Sequence, residues 1–86
     1  MEFKSAKEIG FVKLSQHRKK VFLNIGNGLK LPSEISRETE LGINDVSRAL
    51  KGLKDNKLVK CLNEEEKRGR VYVLTEKGLE ILEHIY

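Results

Sequence analysis

Tryptophan is absent from this 86-residue chain, cysteine and proline occur once each, and aromatic residues make up only 6% of it. The lone cysteine, Cys61, excludes an internal disulfide and makes a reducing, cytoplasmic setting the expectation. No apolar run approaches the roughly 20 residues that span a bilayer, and the N-terminus lacks the apolar core of a signal peptide. One cysteine and two scattered histidines, His17 and His84, cannot build a four-ligand metal site within the chain, which leaves a site shared across a dimer as the arrangement still open. Glycine-rich phosphate loops, a nucleophile beside a histidine and a distinctively spaced acidic pair are all missing, so neither an enzyme nor a cofactor is expected. Internal repeats, low-complexity tracts and linkers are missing too.

Charge is plentiful. Lys, Arg, Asp and Glu make up 35% of the chain, against about a quarter in an average domain. Hydrophobic residues at 38% support one modest core, and a chain this short gains stability by pairing with a second copy. The net charge of +4 is unevenly spread, with +5 over residues 1–30, +1 over 31–60 and −2 over 61–86. A polyanionic partner suits this balance, but recognition must rest on which faces the charges occupy.

Periodicity divides the chain into helices and one hairpin. Ser15 is placed to cap a helix over residues 16–25, with Val21, Phe22 and Ile25 facing a core and Gly26 ending it. Pro32 suits the first turn of a second helix over 32–40, with Glu34 near the positive end of its dipole. In the tight connection that follows, Gly42 is expected to turn left-handed, Ile43 to pack inward and Asn44 to cap a third helix. Val46, Ala49, Leu50 and Leu53 form that helix's apolar stripe and leave Asp45, Ser47, Arg48, Lys51 and Asp55 to solvent. After Asn56 the period switches to two: strands around Leu58 to Asn63 and Val71 to Leu74 flank a loop over 64–69. Thr75 caps a last helix, on which Leu79, Leu82 and Tyr86 share a face with Ile85 near it and Ile81 points elsewhere. Residues 1–14 read either as a short extra helix or as an extended arm.

These residues resemble the winged helix-turn-helix domains of prokaryotic transcriptional regulators, the MarR-like and ArsR-like groups in particular. The pattern over 31–78 is Pro32-Ser33-Glu34-Ile35 at the second helix, then Ser47, Leu50 and Leu53 in the third. Leu58-Val59 opens the wing, and Arg70, Tyr72, Leu74, Thr75 and Gly78 close it. The fold class it implies is α+β and mostly helical: a three-helix core, a two-stranded β-wing and a C-terminal helix. The boundaries expected are an arm or short helix over 1–14, the winged domain over 15–75 and the terminal helix over 76–86. In such a family the domain works as a homodimer joined by helices outside the motif.

The expected function is a homodimeric regulator of transcription that binds double-stranded DNA in a sequence-specific way. The candidate DNA-contacting residues are Ser33, Asn44, Asp45, Ser47, Arg48 and Lys51, with Lys67, Arg68 and Arg70 on the wing. Arg48, Lys51 and the wing tip are expected to look outward in one direction as a single cationic footprint. Three consecutive carboxylates, Glu64, Glu65 and Glu66, oppose that unless they turn away or pair internally. Phe11, Leu79, Leu82, Ile85 and Tyr86 are the candidate dimer contacts. A protein-interaction module within nucleic-acid machinery is the alternative, favoured by the acidic approach to the wing. RNA fits less well, since the motif presents a helix for a wide groove and no aromatic platform for bases. A small-molecule effector stays open.

Overall fold

The computed structural model describes residues 6–85. Seven elements follow one another: α1 (Ala6–Lys13), α2 (Gln16–Ile25), α3 (Pro32–Thr39), α4 (Ile43–Asp55), β1 (Val59–Cys61), β2 (Tyr72–Leu74) and α5 (Glu76–Ile85). Of the two readings for the N-terminal segment, a short helix forms from Ala6 onward. The remainder of that segment, and Tyr86 at the other end, lie outside the described residues.

Local chemistry sets each boundary. Ser15 caps α2 as its Oγ accepts from the Arg18 amide at 3.2 Å, and Gly26 ends the helix at a φ of 52°. At α3 the Leu31 amide donates to Glu34 Oε1 at 2.8 Å, so the first-turn carboxylate satisfies a backbone donor beside Pro32. Thr75 Oγ1 accepts from the Gly78 amide at 3.0 Å and donates to the Lys57 carbonyl at 2.7 Å, which caps α5 and ties it to the end of α4. Between α3 and α4 the expectation is corrected. Glu40 makes the left-handed turn at φ 64°, while Gly42 is extended at φ −64° and is itself the residue before the helix. Asn44 is therefore the second residue of α4 and not its cap. Thr39 and Ser36 hold the Glu40 turn, bonding the Ile35 and Leu41 carbonyls at 2.6 Å each.

Val21, Phe22 and Ile25 of α2 meet Ile35 of α3 and Val46, Leu50 and Leu53 of α4 in one buried cluster. The strands close it from one side. They pair antiparallel with Val59 opposite Leu74 and Cys61 opposite Tyr72, so these four side chains point inward and Lys60 and Val73 do not. Tyr72 also exchanges both backbone hydrogen bonds with Lys30, at 2.9 and 3.0 Å, which pins the root of the wing to the segment entering α3. From α5, Ile81, Leu82 and Ile85 complete the core, and α1 lies across α2 and α5 with Val12 buried and Glu8 paired to Lys77 at 2.9 Å. Ile81, expected to point away from Leu82 and Ile85, is fully buried on the same face as they are. The core-facing line is Gly78, Ile81, Leu82 and Ile85, the three- and four-residue spacing of one helix face, and Leu79 falls one step off it at 38% exposure.

Candidate nucleic-acid interface

Successive residues of a helix project about 100° apart, which decides what each outward residue of α4 can reach. Ser47 and Lys51, four apart, nearly share a line. Ser47 walls a cleft of about 520 Å³ with Ser33, Ile43, Lys67, Arg68 and Arg70 around it. A second cleft of about 330 Å³ continues along the helix past Lys51 and Lys54. Pro32, Ser47, Arg70 and Tyr72 line both, so they form one trough between α4 and the wing. Arg48, one step around the helix, opens instead on the opposite flank, where Ser15, His17, Arg18 and Asp45 line a cleft of about 340 Å³. The expectation of one shared direction is corrected accordingly: Lys51 lies on the wing side, whereas Arg48 and the wing straddle the helix.

Both outward cations of α4 have carboxylate neighbours. Arg48 Nη1 is 3.2 Å from Asp45 Oδ1, and Lys51 Nζ is 3.3 Å from Asp55 Oδ2. The Arg48 and Lys51 side chains remain 77% and 78% exposed, so these are surface pairs that water already weakens and that a phosphate can replace. His17 Nδ1 lies 3.9 Å from the same Asp45 oxygen. Asp45 is thus half-buried between α2 and α4, while Ser33 and Asn44 are open to solvent at the leading ends of α3 and α4.

The wing carries an internal arrangement that charge counting alone does not reveal. Glu64 reaches back to Lys54 of α4 at 2.6 Å. The hydrogen bond from Lys54 holds the Glu64 carboxyl below its ordinary 4.5 and raises the Lys54 ammonium above its ordinary 10.5. Arg70 donates from Nε to the Glu66 carbonyl at 2.6 Å and from Nη2 to the Glu64 carbonyl at 3.0 Å. Asn63 completes the loop, donating to the Gly69 carbonyl at 3.0 Å and accepting from the Val71 amide at 2.8 Å. Arg70 therefore shapes the loop, and Lys67 and Arg68 are the exposed cations at its tip. Arg70→Ala is expected to speed amide hydrogen exchange across residues 63–71 while α4 stays protected; unchanged exchange there would show the loop to be held by other means.

Two wall-forming residues escaped the sequence reading. Lys54 is two helical turns beyond Ser47, a spacing that would have placed it on the same side. Ile43, expected inside, is 48% exposed and lines the trough. Among the candidate dimer contacts, Leu82 and Ile85 are 5% and 3% exposed and belong to the chain's own core, a correction that follows from the helix face described above. Phe11 is half-buried under the Arg18 guanidinium, 3.9 Å from its ring centre. Leu79 is left as the described apolar side chain of α5 that solvent still reaches. Among the described residues, no group of three His, Cys, Asp or Glu side chains could hold a metal ion, and no helix is long and apolar enough to cross a membrane.

A family model described as winged helix-turn-helix matches residues 19–86. The chain belongs to the winged helix-turn-helix family, and the match takes in α5 as well as the motif and wing. No curated protein matches. Among solved structures, TubR of Bacillus thuringiensis serovar israelensis, bound to 24 bp of tubC, superposes with a TM-score of 0.81 at 13% identity over 98% of this chain and 94% of its own. The homodimeric winged helix-turn-helix DNA-binding domain Mb0332 of Mycobacterium bovis gives 0.74 at 18% identity, covering 99% and 82% of the two chains. NMB1585, a MarR family regulator from Neisseria meningitidis, gives 0.72 at 26% identity over 87% of this chain. The chain spans about half the length of some of these relatives, 54% of NMB1585 and 49% of Lactococcus lactis ZitR. The fold is that of winged-helix DNA-binding regulators.

Proposed function

We propose that the chain is a sequence-specific regulator of transcription that binds double-stranded DNA as a homodimer. The trough between α4 and the wing carries this reading: hydroxyls at Ser33 and Ser47, the Lys51 ammonium and the tip cations Lys67 and Arg68 border a single concave surface. With α4 in the major groove, Asn44 and Ser47 meet base edges at its leading end, and Arg48 can give guanine two parallel hydrogen bonds from the other flank. Ser33, Lys67 and Arg68 bind backbone phosphates beside the groove. The duplex-bound TubR structure and the homodimeric Mb0332 domain support the partner and the assembly. Leu79 supplies apolar surface on α5 for the second copy.

Selection of bound fragments from random duplex DNA tests this. The expected product is a two-fold symmetric sequence with half-sites about one helical turn apart. Arg48→Ala is expected to relax base preference within each half-site, and Lys67→Ala to weaken all sequences alike. If no duplex is enriched, the regulator reading fails and a protein partner on the same trough becomes the better account. Equal losses on every sequence from both substitutions would overturn the assigned roles.

A further inference from the structure

Ile43 is the first residue of α4, yet 48% of it remains exposed while Val46, Ala49, Leu50 and Leu53 behind it are buried. Little in the isolated chain explains an isoleucine at this position. A β-branched side chain is a poorer helix former than alanine, and one left half in water recovers only part of the energy of burial. Leu14, Leu29, Leu62 and Leu79 are exposed too, but none of them lines the trough, and apolar residues scattered singly over a surface are ordinary. Ile43 stands apart by its neighbours. Ser33 and Ser47 flank it, and Lys67 and Arg68 border the same cleft. The cleft's other apolar walls, Leu31, Pro32 and Tyr72, are half-buried or buried, so Ile43 is the hydrocarbon it exposes most, at the leading end of α4.

The major-groove edges of the four base pairs offer hydrogen-bond donors and acceptors almost throughout, and thymine's C5-methyl is the apolar exception. A hydrocarbon pressed on the N7 or O6 of guanine, or on the amino groups of adenine or cytosine, would strip water from a polar atom without replacing its hydrogen bond. On the thymine methyl the same contact removes only apolar surface. We infer that Ile43 is a specificity-determining residue that packs on a thymine methyl and fixes a T·A pair at one position of each half-site. The inference rests on the DNA-binding reading above and adds to it one named base.

The test uses the full chain and the duplex it selects, with each thymine replaced in turn by deoxyuridine, which keeps the pairing and removes only the methyl. One thymine per half-site is expected to be sensitive, each replacement weakening wild-type binding about fourfold, the worth of one buried methyl. Ile43→Ala should bind the thymine duplex more weakly and be indifferent to deoxyuridine at that position. Ile43→Val should remain sensitive, and so should Lys67→Ala. Thermal melting checks that both Ile43 variants stay folded, as substitution of a half-exposed helix residue leads one to expect. The inference is overturned if a selected duplex has no methyl-sensitive thymine, or if the sensitivity survives in Ile43→Ala. Should the wild type enrich no duplex at all, the DNA-binding reading fails and takes this one with it, an outcome distinct from both.

Discussion

Gly78→Ala is expected to destabilise the domain by about 3 kcal/mol, near the upper end of what overpacking a core costs. In a domain of this size that lowers the melting temperature by more than about 10 °C. Gly78 is buried in the first turn of α5, where a methyl group would run into the Leu58 carbonyl oxygen and come within 3.2 Å of the Leu74 Cβ. That oxygen cannot swing aside, since it accepts from the Thr75 amide at 3.0 Å and belongs to the chain entering β1. Relief comes only if α5 lifts, which uncovers Ile81 and Leu82. Alanine's better helix propensity, about 1 kcal/mol over glycine, does not offset this. Gly10 gives the opposite sign: it is helical too, but nothing lies within 4 Å of its missing Cβ, so Gly10→Ala should leave stability unchanged or raise it. Thermal or urea unfolding of both variants decides, and an unshifted Gly78→Ala transition would overturn the packing argument.

Binding to the selected duplex should weaken roughly a thousandfold between 50 and 200 mM salt. On the proposed reading, Lys51, Lys67 and Arg68 of each protomer of a homodimer would together neutralise about six phosphates, which corresponds to a slope of about −5 in log affinity against log salt. Lys67→Ala removes one such contact per protomer and should flatten the slope by about 2. The pairing of Lys51 with Asp55 does not spoil this count, because an ion pair as exposed as theirs gives up its partner at little cost. Lys54 and Arg70 are left out for a structural reason. One is engaged by Glu64, and the other donates two hydrogen bonds to carbonyl groups of its own loop. A slope near zero would mean that the trough does not hold a polyanion.

What the sequence disclosed was what nearest neighbours along the chain decide. Ser15, Pro32 and Thr75 mark helix starts through hydrogen bonds spanning three residues or through a fixed φ. The stripe of Val46, Ala49, Leu50 and Leu53 follows from a single period, whereas the alternation in the strands left open which side faces the helices, and the structure turns Val59, Cys61, Tyr72 and Leu74 inward. Contacts between elements were not legible in the same way. Lys54 meets Glu64 only because the wing folds back over α4, and no local rule brings those two together. The pairing of Tyr72 with Lys30 is one residue long, too short to leave an alternating pattern. At the turn into α4, glycine drew the left-handed assignment on general grounds, whereas Glu40 takes it because Ser36 and Thr39 anchor the carbonyls on either side. Ile43 reads as core because it lies two turns before the buried Leu50 on nearly the same line, and its place as the first residue of α4, not its angle, leaves it half in solvent. Of the candidate site, the flank of α4 that each residue takes was not readable, which is how Arg48 came to be grouped with the wing.

The double attachment of Tyr72, to Cys61 on one side and to Lys30 on the other, leaves the hairpin without a hinge at its root. The ladder ends at the bond between the Leu62 amide and the Val71 carbonyl, and beyond it residues 64–69 are held by the Arg70 and Asn63 side chains and by the Lys54–Glu64 pair. The root of the wing is therefore built like a caliper of fixed gauge, its spacing set by paired backbone and not by side chains.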